Sequence, residues 1–250
     1  MKIVSIRDIH IGEGIPKIFI PLMGKTEEQL LLEIKIIQQQ SPDIVEWRVD
    51  VLDDVEDIHT VIQTLSSIRK VLYPTPILFT FRSHREGGNN KIEDAYYKQL
   101  LKTVIQTKEV DLIDVEMFSA DVEDIVQTAN DHEVYIVMSN HDFEKTPVKE
   151  EIIWRLRRMQ ELGAHIPKIA VMPKNPADVL TLLDATYTMK SLYADRPIIT
   201  MSMAATGAIS RVAGQVFGSA ATFGSGVEAS APGQIPVSEL RKMLQIFQLN

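Results

Sequence analysis

A lysine stands inside an otherwise apolar run, Ile166-Pro167-Lys168-Ile169-Ala170-Val171-Met172. Lysine is almost never fully buried without a partner, so its place in a strand-like segment needs a reason. Desolvation lowers an amine's pKa, and so would nearby cations such as Arg48, Arg82 and Arg211. A neutral amine attacks carbonyl carbon, which makes Lys168 a candidate for Schiff-base chemistry. A lysine paired with Glu46, Asp114 or Glu116 explains the same position, and spacing alone does not choose between the two.

Other polar residues collect where apolar runs end. Glu46, Arg48 and Asp50 lie at i, i+2 and i+4 and share one face of a strand. An internal ion-pair cluster accounts for them, and so does hydrogen bonding to a polyhydroxylated ligand. Arg82 ends Phe79-Thr80-Phe81-Arg82 and leads into Ser83-His84-Arg85-Glu86-Gly87-Gly88. Asp114 and Glu116 also share a face, where structural support is the plainer role. His141 closes Met138-Ser139-Asn140-His141-Asp142 among other polar residues, which favours chemistry over packing. The histidines at 10, 59, 84, 132 and 165 fall on the opening strand, helices or loops and read as surface groups.

Two patterns alternate around these residues. Short apolar, β-branched runs predict strands at 17–23, 43–49, 76–81, 112–116, 134–139, 166–172, 197–201 and 220–223. Helical spacing falls between them, at 26–40, 54–72, 91–107, 120–131, 148–162, 176–192, 206–214 and 237–248. A strand recurs about every 30 residues, close to one eighth of a barrel of ~250 residues. Nearly continuous apolar strands fit burial on both faces of a parallel sheet. The expected fold is an α/β (β/α)8 TIM barrel filling residues 1–250 as a single domain. A doubly wound sheet is the rival, but it usually uses fewer strands. Residues 1–15 alternate Ile3, Val4, Ile6, Ile9 and Ile11 and then turn at Gly12 and Gly14, which predicts an N-terminal hairpin. Residues 224–236, GSGVEASAPGQIP, follow the last strand, where a barrel carries a catalytic-face loop. They are a lid candidate, with a plain connection as the alternative.

The chain has 250 residues, with 26 basic and 34 acidic side chains and a net charge of −8. An acidic surface argues against nucleic acid or an anionic membrane as the main partner. Cysteine is absent, which excludes disulfides, thiolate catalysis and Cys-ligated metals. No apolar run reaches the ~18 residues of a membrane span. Arg7, Asp8 and His10 interrupt the stretch a signal peptide would need. The expectation is a soluble cytoplasmic protein. Gly224-x-Gly226-x-x-Ala229 nominally fits a dinucleotide fingerprint but lies too near the end for a βαβ unit. Phosphate-loop, nucleophile-elbow and HExxH motifs are missing, and no ligand spacing supports a metal. A lysine nucleophile supplies its own electron sink, so neither metal nor cofactor is expected.

An ordered set of segments resembles the type I 3-dehydroquinate dehydratases, the Schiff-base class of the shikimate pathway. It comprises Glu46–Asp50, Phe79–Arg82 with Glu86-Gly87-Gly88, MSNHDF at 138–143, PKIAVMP at 167–173 and ITMSM at 199–203. Ser210-Arg211, FGSAATFG at 217–224 and SAPGQ at 230–234 complete it. The resemblance implies a barrel whose N-terminal hairpin covers the bottom. It implies dehydration of 3-dehydroquinate to 3-dehydroshikimate in aromatic amino acid and chorismate biosynthesis, by a homodimer. Lys168 matches the imine-forming lysine, His141 the general base and acid, and Glu86 the carboxylate that positions it. Arg211, Ser230 and Gln234 match groups that hold the substrate carboxylate and close the lid. Glu46, Arg48 and Arg82 match contacts to ring hydroxyls, and Met203 and Phe223 match apolar walls. Pro21 stands where the family has Ser, and Ala204 where it has Ser or Gly.

Two other classes of function fit some of these features. A lysine-dependent barrel aldolase would share Lys168 but should show phosphate-binding backbone after strands seven and eight. A barrel that only binds a hydroxy acid gains nothing from an unpaired buried lysine beside a histidine.

Overall fold

Eight apolar runs form the staves of a parallel ring. The computed structural model describes residues 2–247. A hairpin of β1 (Val4–Ile6) and β2 (Ile9–Ile11) comes first. The ring then alternates β3 (Lys17–Leu22), α1 (Glu27–Gln38), β4 (Ile44–Arg48), α2 (Ile58–Leu72), β5 (Ile77–Thr80), α3 (Asp94–Thr107), β6 (Leu112–Glu116) and α4 (Val122–Asp131). It continues with β7 (Tyr135–Asp142), α5 (Lys149–Glu161), β8 (Ile166–Val171), α6 (Pro176–Leu192), β9 (Ile199–Ser202), α7 (Ala204–Phe217) and β10 (Ala221–Ser225). A two-residue strand β11 (Ile235–Pro236) precedes α8 (Val237–Ile246). The strand order is β11-β10-β3-β4-β5-β6-β7-β8-β9. The ring closes between β9 and β10 through the parallel bridge Ile198–Ser219 and the bond from Ala220 N–H to Ile198 O, 2.8 Å. The (β/α)8 barrel is the fold the strand spacing predicts.

Alternation along each strand sorts the interior into layers. Phe19, Ile44, Leu78, Leu112, Val137, Ile166 and Ile199 form one apolar cluster with Val4, Ile6 and Ile11 of the hairpin. The hairpin therefore seals the end where the strands begin. Two residues further along β4 to β8 the inward positions turn polar, at Glu46, Thr80, Asp114, Ser139 and Lys168, all buried. The opposite strand faces carry the main core, with Trp47, Phe79 and Ile113 packed on helix residues such as Leu30, Ile34 and Leu65. Thr26, Asp57 and Asn175 cap α1, α2 and α6 by accepting from Gln29, His59 and Asp178 N–H.

Several element boundaries differ from the expectation. β7 runs three residues beyond 139, because Asn140, His141 and Asp142 still pair with Ile169, Ala170 and Val171 of β8. The helices expected at 54–72 and 91–107 start at Ile58 and Asp94. The one expected at 206–214 spans Ala204–Phe217, and it opens with Ala204 in the left-handed region at φ 57°. Position 248, the expected end of the last helix, lies outside the described residues. Pro21 sits two residues past Phe19, the last β3 residue paired with β10, so its missing N–H removes nothing from that ladder. Among the described residues, no helix is long and apolar enough to cross a membrane.

The hairpin is also tied down by charge. Asp111 accepts from Arg7 Nε at 2.8 Å, from Arg69 Nη1 at 2.9 Å and from Ile77 N–H at 2.9 Å. Asp111→Ala leaves Arg69 with Thr75 O, turns Arg7 to solvent and takes the acceptor from Ile77 N–H. It is expected to destabilise the fold by about 2 kcal/mol, the usual cost of unanswered hydrogen-bonding groups, read as a drop in the urea midpoint.

Candidate active site

Lys168 is 3% exposed at the centre of β8. Its Nζ lies 3.4 Å from Asp114 Oδ2 and 3.8 Å from Glu46 Oε1, and 4.3 Å above the centre of the Phe223 ring. Of the acids that could have paired with it, Glu116 is engaged elsewhere. Both remaining pairs are long for a charge-assisted bond. Burial pushes the Lys168 pKa down, and Asp114 and Glu46 only partly offset this, with Arg82 and Arg48 adding to the depression. The expected influence of Arg211 on Lys168 is not among these causes. The amine is therefore closer to its neutral, nucleophilic form than a surface lysine.

Arg82 organises the acids around the lysine. Its Nη1 donates to Glu116 Oε1 and to Ser139 Oγ, both at 2.9 Å, and its Nη2 lies 2.9 Å from Asp114 Oδ1. Burial works against the Arg82 charge, and Asp114, Glu116, Glu86 and Glu46 together outweigh it. Burial likewise raises Asp114, but Arg82, Lys168 and the Ser139 hydroxyl hold it below the usual carboxylate range. Asp114 thus stays ionised next to Nζ. Glu46 accepts from Thr80 Oγ1 at 3.0 Å. Arg48 makes a two-pronged ion pair with Asp50, 2.8 Å on each prong. The Glu46-Arg48-Asp50 run therefore splits: Arg48 and Asp50 form an internal pair, and Glu46 faces the lysine.

His141 reaches the cavity from the end of β7. Its Nδ1 lies 2.8 Å from Glu86 Oε2, which also accepts the His141 backbone N–H at 3.0 Å. Burial, then Arg82, Lys168 and Arg48, push the imidazole well below its ordinary 6.5. Neutral imidazole with Nδ1–H turned to Glu86 leaves Nε2 free to accept a proton. Burial and Glu116 push Glu86 up, to about 8, against Arg82 and the Asn140 amide. Glu86 and His141 therefore titrate as one pair, which sheds its extra proton before the carboxylate holds Nδ1–H and Nε2 acts as a base. Gly87, at φ 86°, ends the turn that presents Glu86, and any Cβ there would strike the Phe143 ring.

Arg211 is a different kind of cation. It is 2% exposed, and among the described residues no carboxylate pairs with it. Its Nη1 reaches Phe223 O at 3.4 Å, its Nη2 reaches Pro232 O at 3.2 Å, and its Nε has no partner. Burial alone lowers the guanidinium to about 10, still protonated at neutral pH. A buried charge answered only by two carbonyls and the Met201 sulfur, 3.6 Å from Nη1, favours an incoming anion.

Residues 226–234 lie across the barrel mouth. Ser230 O accepts from Arg48 Nη1 at 3.3 Å, and Pro232 O accepts from Ala204 N–H at 3.2 Å as well as from Arg211. Gln234 and Ser230 close on each other through two bonds of 2.9 Å. Gly233, at φ 77°, passes so near Ala204 that a Cβ would sit 2.2 Å from its carbonyl oxygen. One cavity beneath this segment is lined by every expected site residue except Arg211, which stands behind Phe223. Asp50, Asp114, Glu116 and Ser139 belong to the same network without having been singled out as site residues. For Asp114 and Ser139 the sequence carries a signal, because they fall, like Thr80 and Lys168, two positions after an inward apolar residue; Asp50 and Glu116 have none of this kind.

Fold and site together define a (β/α)8-barrel enzyme. A family model described as type I 3-dehydroquinase matches residues 18–250. The 3-dehydroquinate dehydratase of Bacillus subtilis strain 168 is 61% identical over 252 residues, covering 100% of this chain and 99% of that one. The type I 3-dehydroquinate dehydratase structure from Clostridium difficile matches with TM-score 0.95 and 51% identity, over 98% of this chain and 97% of that one. The Geobacillus kaustophilus 3-dehydroquinate dehydratase structure matches with TM-score 0.95 and 38% identity, over 98% and 96%. The chain belongs to the type I 3-dehydroquinase family and is an enzyme of the hydro-lyase class.

Proposed function

We propose that this enzyme removes water from 3-dehydroquinate to give 3-dehydroshikimate through an imine on Lys168, with His141 as general base and acid. The observation that carries the reading is a buried, loosely paired amine in one cavity with a histidine whose Nδ1 is held by Glu86. The Clostridium difficile structure contains covalently modified comenic acid, which supports a site that forms a covalent bond to an organic acid.

In this reading neutral Lys168 Nζ adds to the ring ketone carbon, one N–H proton passes to the former ketone oxygen, and with a second proton taken up from solvent that oxygen leaves as water while the nitrogen lone pair forms the C=N bond. The resulting iminium withdraws electrons from the neighbouring carbon. His141 Nε2 takes a proton from that carbon, and the C–H electrons pass into an enamine. The enamine expels the β-hydroxyl, which leaves as water with the proton His141 returns. Water activated by His141 then adds to the product iminium, releasing the enone and free Lys168. Asp114 and Glu46 lie within 4 Å of Nζ and stabilise the cation throughout. Proton transfer by a positioned histidine contributes roughly 10²–10⁴-fold.

The substrate carboxylate answers Arg211, and Ser230 and Gln234 close over it from the lid. Glu46, Arg48 and Arg82 meet ring hydroxyls, between the apolar walls Met203 and Phe223. Residues 226–234 cover the cavity through Ser230, Ala231 and Gln234, and in this reading they are the lid that moves aside to admit the ring and closes over it. Arg211→Met is expected to raise KM about 100-fold, ~3 kcal/mol of lost charge pairing, with a smaller change in kcat. Steady-state kinetics across substrate concentration separates the two.

Ultraviolet absorbance tests the reaction itself. Purified protein mixed with 3-dehydroquinate, without metal or nucleotide, should show the rise of a conjugated enone. Folded protein that gives no rise would overturn the assignment.

A further inference from the structure

We propose that Arg155, on the outer helix α5, is a positioning residue for His141, acting through the Asn140 side-chain amide on Glu86. The inference deepens the proposed role of His141 and rests on it.

Donor and acceptor chemistry fixes the orientation of the Asn140 amide. Arg155 Nη1 lies 2.8 Å from Asn140 Oδ1, and Asn140 Nδ2 lies 3.1 Å from Glu86 Oε1. A guanidinium has only donors, so whatever faces Arg155 must be the amide oxygen. That leaves the Asn140 NH2 no orientation except toward Glu86. The guanidinium is itself fixed by Glu151 Oε1, 2.8 Å from Nε, and faces Asp142 Oδ2 at 3.7 Å. Asn140 is 5% exposed, so no bulk solvent competes for its amide. The chain of contacts thus runs from the surface of α5 to Nδ1 of His141 in three links.

The polarity of the middle link matters for chemistry. An N–H directed at Glu86 favours its carboxylate, whereas a flipped amide would offer an oxygen that favours the carboxylic acid. Glu86 is poised between these forms, because it faces Arg82 at the end of β5 at 3.6 Å and the acids Glu116 and Asp114 on β6. His141 in turn faces Arg82, Lys168 and Arg48. A carboxylate at Glu86 holds Nδ1–H and keeps Nε2 basic. A carboxylic acid there releases this hold. Arg155 sets the choice without touching the cavity, since it is not among the residues that line it.

The test compares wild type with Arg155→Met, Arg155→Lys and Asn140→Ala. Imidazole ¹⁵N resonances of His141, followed over pH in substrate-free protein, read the relay itself. Borohydride trapping of the Lys168 adduct reads the underlying reaction separately. Arg155→Met and Asn140→Ala should raise the pH at which the Glu86–His141 pair gives up its extra proton by about one unit. They should also lower kcat about tenfold, a part of the general-base contribution, while adduct formation stays at the wild-type rate. Arg155→Lys should restore most of the wild-type titration. A His141 titration unmoved in Arg155→Met and in Asn140→Ala would overturn the inference, as would loss of kcat and adduct in equal measure. Failure of wild type to form any adduct would count against the imine, whereas the titration would still decide the relay.

Discussion

Lys168→Met should abolish turnover of 3-dehydroquinate and the borohydride-trapped adduct together, and leave a folded protein. The two losses share one cause, because among the described residues no other lysine lines this cavity. Stability should change by no more than ~1 kcal/mol. Removing one partner of a buried ion pair costs roughly 3–5 kcal/mol when the other charge is left uncompensated, and much less when the remaining partners keep other bonds. They do here: Asp114 keeps Arg82 and Ser139, and Glu46 keeps Thr80. The wild-type lysine should also show its burial in the pH dependence. Imine formation needs the neutral amine, so its rate rises with pH. Because burial lowers the pKa, that rise should have its midpoint below the ordinary 10.5. Thermal unfolding, trapping and steady-state rates on the same preparation check all three points. A variant with wild-type turnover would remove Lys168 from the mechanism.

His141→Ala should separate two steps that Lys168→Met cannot. The amine, its acids and Arg211 remain, so substrate still condenses and the adduct is still trapped. What disappears is the proton acceptor at Nε2 and the donor to the departing hydroxyl. Dehydration should fall by roughly 10²–10⁴-fold, the usual contribution of positioned proton transfer, with a smaller change in KM. Single-turnover experiments would then show imine accumulating ahead of enone. A variant that loses trapping and dehydration equally would assign His141 to imine formation instead.

Much of this arrangement is legible in the chain. The barrel follows from eight β-branched runs at regular spacing, and Lys168 stands out because it violates its own run. His141 is found because polar residues cluster where an apolar run stops. The support around them is harder to read. Asn140 is joined to Glu86 across 54 residues and to Arg155 across 15, and Arg48 is joined to Ser230 across 182. No local pattern encodes such pairs, because they exist only once the ring closes. Asp114 reads as structural support from its neighbours in sequence, yet the fold places it 3.4 Å from the amine. The start of α7 escaped for a local reason. Ala204 adopts a left-handed backbone that alanine ordinarily avoids, held there by the loop 28 residues later through Pro232 O.

The central claim is a covalent bond between Lys168 and substrate. Protein should be incubated with 3-dehydroquinate, reduced with borohydride, digested and mapped by mass spectrometry. A stable adduct is expected on the peptide carrying Lys168 and on no other lysine. Sustained turnover with no adduct, or an adduct on a different lysine, would contradict it.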